Sequence, residues 1–152
     1  MNNEQIKIAI ADLLPSAIIE ESSEWLTIHI EPVDWLPLAE KLRNTAELYF
    51  DYLFCLTCVD WKSHLSMVYH LTSTFHRHTL VVKSKLDRDD ARIETVTMIW
   101  RTAEFHEREV YELFGVNFLN HPDLRLLILP DGWEGKNPLR KDFDDPVNMI
   151  RL

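Results

Sequence analysis

The chain predicts an α+β fold of two layers followed by an extended C-terminal segment, and three observations carry that prediction. Runs with helical spacing alternate with β-patterned runs in the order helix, strand, strand, helix, three strands, helix. Hydrophobic residues make up 46% of the 152 residues, which suits one compact core. Proline and glycine crowd the end: four of seven prolines (Pro122, Pro130, Pro138, Pro146) and two of three glycines (Gly132, Gly135) follow Gly115.

Each element has a local reason. Ile6, Ile10, Leu13 and Leu14 share one helical face, and Pro15 ends that helix. Residues 17–30 read as two short strands; in the second, Trp25, Thr27 and His29 point one way and Leu26, Ile28 and Ile30 the other. A second helix runs from Pro32 to Asn44, with Leu36, Leu38, Ala39 and Leu42 as its apolar positions. Tyr49 to Asp60 is almost continuously apolar, the pattern of a central strand. His64–Leu71 and His76–Leu86 follow as an antiparallel pair, closed by the charged turn Asp87–Arg92. A third helical stretch is expected from near Ala91, with a second segment over Thr102–Phe114 and Gly115 at its C-terminus. Residues 1–115 therefore read as the α+β domain and 116–152 as an extended partner-binding tail.

The tail has turns at Pro130-Asp131-Gly132 and Asn137-Pro138 and scattered anchors, among them Phe118, Leu124, Leu139 and Phe143. Those anchors are too few to order so long a backbone alone. The expectation is a tail laid across a partner, and mobile without one.

Composition excludes several functions. Sixteen basic against 25 acidic residues leave a net charge of -9, which opposes nucleic acid and anionic lipid. Three scattered glycines build neither a dinucleotide fingerprint nor a P-loop. No run approaches the roughly 20 apolar residues of a membrane-spanning helix, and the polar start is not a signal peptide. The reading places the chain in the cytoplasm or on its face of a membrane.

Candidate chemistry is sparse. Cys55 and Cys58 have the spacing of a redox pair but sit in a β-patterned run, where their sulfurs point to opposite faces. His76 and His78, with His64 and His70 on the neighbouring strand, could bring three imidazoles together, yet no carboxylate or thiol stands beside them at ligand spacing. His106-Glu107 begins like a zinc-protease motif, but Val110 occupies the second histidine's position. The dense stretch is Glu104–Gly115, continued through Asn120-His121-Pro122-Asp123-Leu124-Arg125 to Pro138-Leu139-Arg140-Lys141-Asp142-Phe143.

At these residues the chain resembles the 30-kilodalton subunit family of respiratory complex I, the NADH–quinone oxidoreductase. One block is carried by Glu107, Arg108, Glu109, Glu112, Leu113, Phe114, His121 and Arg125, followed by Leu127 and Ile128; the other by Pro138, Leu139, Arg140, Lys141 and Asp142. The resemblance implies a non-catalytic scaffold of the peripheral arm, on the cytoplasmic side of the inner membrane. It implies no cofactor in this chain, the flavin and iron–sulfur clusters being held by partner subunits. The implied partners are the large subunit that shapes the quinone site and the small subunit that holds the terminal cluster. Arg108, His121, Arg125, Arg140 and Lys141 would then make charge-assisted bonds across desolvated interfaces. Two alternatives stay open: the equivalent subunit of a related membrane-bound hydrogenase or dehydrogenase, and a free-standing metal or redox module.

Overall fold

The computed structural model describes residues 2–20, 24–147 and 149. Met1 and the last residues of the expected tail, 150–152, lie outside the described residues, as do 148 and 21–23 between the first two strands. Helix α1 (Asn3–Leu13) opens with a reciprocal cap: Gln5 N–H donates to the Asn2 side chain, and Asn2 N–H to the Gln5 side chain. Strands β1 (Ile18–Glu20) and β2 (Thr27–Ile30) pair antiparallel. A 3₁₀ turn at Pro32–Asp34 leads into α2 (Trp35–Asn44). The meander β3 (Tyr52–Asp60), β4 (Leu65–Thr72) and β5 (Thr79–Leu86) returns β5 parallel to β2, giving the sheet order β1-β2-β5-β4-β3. After β6 (Arg92–Glu94) comes α3 (Ala103–Phe114), and then β7 (Asn117–Leu119), parallel to β6.

Alternation along the strands makes two layers. Leu65, Met67, Tyr69 and Leu71 of β4 are buried in the same core as Ile6, Ile10, Leu38, Leu42 and Val110 of the helices. Ser66, Val68, His70 and Thr72 take the other face and stay half-buried. Trp35, absent from the apolar positions read for α2, is fully buried and lies against Tyr69, with ring centres 4.2 Å apart.

Three expectations need correction. The run read as a central strand is an edge strand, β3; its apolar residues are buried by α3 on one face, not by two neighbouring strands. Trp100 and Thr102 donate to the carbonyls of Phe50 and Leu53, which binds the start of α3 to the beginning of this run. The third helix does not begin near Ala91. Residues 92–94 are extended because they pair with β7, and the β-branched Thr95-Val96-Thr97 that follows disfavours helix. The regular fold also continues past Gly115, since Ile93 and Phe118 are register partners in the small sheet and both are buried.

Candidate functional site

Helix α3 carries the start of the first block, and three of its charged residues face inward. Glu107, Arg108 and Glu112 are all buried, which a solvated helix face would not allow. Each has a polar reason to be there. Glu107 accepts from Val96 N–H at 2.9 Å and from the Thr95 hydroxyl, and among the described residues no lysine or arginine bonds to it. Burial pushes its carboxyl up to about 7, against the pull of those two donors. Arg108 donates from Nε to the Arg125 carbonyl at 3.1 Å and from Nη2 to the Leu126 carbonyl at 2.6 Å. Glu112 accepts from the backbone N–H groups of Leu127 (2.8 Å), Ile128 (2.9 Å) and Leu129 (3.2 Å). A cation on carbonyls and an anion on amides, one helical turn apart, hold residues 125–129 by their backbone alone.

His121 is seated against the same helix. Its Nε2 donates to the Glu104 carbonyl at 3.1 Å, its Nδ1 accepts from Asp123 N–H at 3.0 Å, and its buried side chain lies 3.8 Å from Glu107 Oε2. Arg125 instead points outward and pairs with Asp123 at 2.8 Å. Glu109 is half-buried, close enough to Cys55 to add to the upward push that burial gives that thiol.

The second block folds back onto the end of α3. Gly115 adopts φ 75° and closes the helix through Tyr111. A Cβ there would stand 2.6 Å from Asn137 Nδ2, so the residue before Pro138 packs in the space the glycine leaves. Leu139 N–H donates to the Leu113 carbonyl at 3.1 Å, and Arg140 Nε to the Phe114 carbonyl at 2.7 Å. Lys141 N–H reaches Asp60 at the end of β3, and Asp142 pairs with Arg88 beyond β5. The bonds of Arg108, His121 and Arg140 to backbone carbonyls and that of Arg125 to Asp123 all lie within the chain, where the resemblance implied bonds across an interface. Beside the outward Arg125, Lys141 and Asp142, the held segments also expose apolar side chains: Ile128 is 66% exposed, Leu139 53%, and Leu127 and, further on, Val147 are exposed as well.

Sequence reasoning missed Asp60, Arg88, Thr95 and Asn137. Asp60 had a signal, because it is an acid at the buried phase of an alternating strand and must meet donors there.

The remaining candidates separate. His76 and His78 stack 5.5 Å apart, with Nε2 atoms at the carbonyls of Ala46 and Leu48, in the turn before β5 rather than on a strand face. His70 packs edge-on to Trp25 on the open sheet face, and His64 lies against Trp61 at the β3–β4 turn. Among the described residues no three histidine, cysteine or acidic side chains are grouped to hold a metal ion. Cys55 is half-exposed while Cys58 is buried, and burial pushes the Cys58 thiol up to about 12.

The fold and site together define a class of chain: a two-layer α+β domain whose buried charges strap its own C-terminal segment to one helix. The protein belongs to the respiratory-chain NADH dehydrogenase 30 Kd subunit family, whose model matches residues 28–147. It is 43% identical over 117 residues to an NADH-quinone oxidoreductase subunit of Chloroherpeton thalassium, covering 75% of this chain and 48% of the relative, so it spans about half that relative's length. It is 38% identical over 135 residues to an F(420)H(2) dehydrogenase subunit of Methanosarcina mazei, covering 86% of this chain and 84% of that one. Among solved structures, a chain of the membrane-bound sulfane sulfur reductase, an archaeal respiratory membrane complex, superposes with a TM-score of 0.78 at 32% identity, covering 95% of this chain and 86% of that one. No helix among the described residues is long and apolar enough to cross a membrane.

Proposed function

We propose that the chain is a scaffold subunit in the peripheral arm of a proton-pumping NADH–quinone oxidoreductase, on the cytoplasmic side of the inner membrane. In this reading it performs no step of the reaction itself. Flavin and iron–sulfur clusters belong to partner subunits, and the strapped segment rests on the large quinone-site subunit, near the small subunit with the terminal cluster. The observation that carries the reading is the polarity of the strap. Residues 125–129 and 138–142 bond to their own domain through backbone and charged groups, while Ile128 and Leu139 face outward, the arrangement of apolar anchors awaiting a partner.

The test is co-purification of the tagged chain from membranes in mild detergent. The expected result is recovery of the large and small subunits with the parent chain, and their loss with Ile128→Asp or Leu139→Asp. Recovery of the chain alone, or equal recovery with both variants, overturns it. The likeness to the F(420)H(2) dehydrogenase subunit supports a second reading, the same scaffold in a complex with another electron donor. The donor-side subunits recovered in that experiment decide between the two.

A further inference from the structure

Asp60 ends β3 with its carboxylate buried, 3% of the residue being exposed, and four donors meet it. Lys62 N–H lies at 2.8 Å, Arg88 Nε and Nη2 at 3.0 and 2.9 Å, and Lys141 N–H at 2.9 Å. Arg88 then reaches on to Asp142, at 2.6 Å from Nη2 and 3.3 Å from Nη1. The bidentate geometry is what a planar guanidinium provides and an ammonium does not. The partners of the short run 137–142 thus lie on three separate elements: the C-terminus of α3, the end of β3 and the turn after β5. Neither Asp60 nor Arg88 belongs to either motif block.

We propose that Asp60 and Arg88 form an intramolecular clasp that seats residues 137–142 on their own domain before any partner binds, so that the chain meets its complex with a preformed edge. That edge includes Trp61, 57% exposed next to Asp60, with the Lys141 ammonium 5.9 Å from its ring centre, and the outward Leu139. A segment already held in its binding conformation loses less conformational entropy on association than a loose one. The clasp itself is a property of the free chain; only its use in assembly rests on the reading above.

Native-state hydrogen exchange on the full-length free chain tests it. The amides of Leu139 and Lys141, bound to Leu113 and Asp60, are expected to be protected in the parent. Arg88→Ala should lower that protection roughly 10- to 100-fold while leaving the β4 amides unchanged. Arg92→Ala, which removes only the exposed pair with Asp90, should change neither. Unprotected Leu139 and Lys141 amides in the parent, or unchanged protection in Arg88→Ala, overturn the proposal. So does an equal loss across β4, because Arg88 would then support the whole domain and not the strap. A parent chain with protected strap amides that recovers no partner subunits would sink the assembly reading and leave the clasp standing.

Discussion

Two buried carboxylates bend stability in opposite directions with pH. Glu107 has no bonded cation among the described residues, and burial lifts its carboxyl from an ordinary value near 4.5 to about 7. The folded chain therefore holds a proton that the unfolded chain has lost, and stability falls as pH rises between those two values. The full effect is on the order of 3 kcal/mol. Glu107→Gln keeps an acceptor for Val96 N–H and removes the titration. Its advantage over the parent should grow by about that amount between pH 4 and pH 8 in denaturant melts, and a parallel pH profile would show that Glu107 is not the group. Asp60 behaves conversely: the Arg88 guanidinium holds its carboxyl well below the usual carboxylate range. Its contribution is complete above the unfolded value and is lost as pH falls through the folded one. Arg88→Ala should therefore flatten the acid limb of the stability curve.

At the scale of elements, α3 does two jobs that its sequence shows only in part. Its period of buried residues packs it on β3, and its charged positions grip the chain that follows. Glu112→Ala should leave three backbone N–H groups of residues 127–129 without their acceptor. A loss of roughly 1–3 kcal/mol is expected, with faster exchange at those amides than in β4. Gly115→Ala meets two separate penalties, a left-handed φ and the Asn137 side chain. It should cost about 1 kcal/mol for the first and more for the second. Adding Asn137→Ala should return only the second part. The α3 segment from Thr102 to Gly115 was legible because its apolar period and its terminal glycine agree. The stretch before it was misread because β6 exists only by pairing with β7, which follows a whole helix later in the chain.

The whole molecule sets the meaning of its last segment. From composition, residues after Gly115 read as a tail in need of a partner, and the family resemblance drew its basic residues across an interface. In the folded chain Arg108, His121 and Arg140 bond inward to backbone carbonyls, whereas Arg125 and Lys141 stay exposed together with the apolar Ile128, Leu139 and Val147. Removing outward apolar anchors should then leave the domain's own melting unchanged. Ile128→Asp and Leu139→Asp are expected to melt within about 0.5 kcal/mol of the parent. Arg140→Ala, in contrast, should destabilise the isolated chain by about 1–3 kcal/mol, because the Phe114 carbonyl loses a charged donor. An unchanged melt for Arg140→Ala would return that residue to the interface.

The family, the two-layer class and the order of the long elements were determined by the sequence alone, because periodicity and spaced motif residues are local properties of the chain. The edge position of β3, the pairing of β6 with β7 and the burial of Glu107, Arg108 and Glu112 were decided only by the tertiary structure. Charge tells where a side chain prefers to be when water is its alternative. Here the alternatives are backbone carbonyls and amides brought from distant residues, and no local pattern announces them. Asp60 and Lys141 stand 81 positions apart in the chain, and only folding places the carboxylate of one 2.9 Å from the amide of the other.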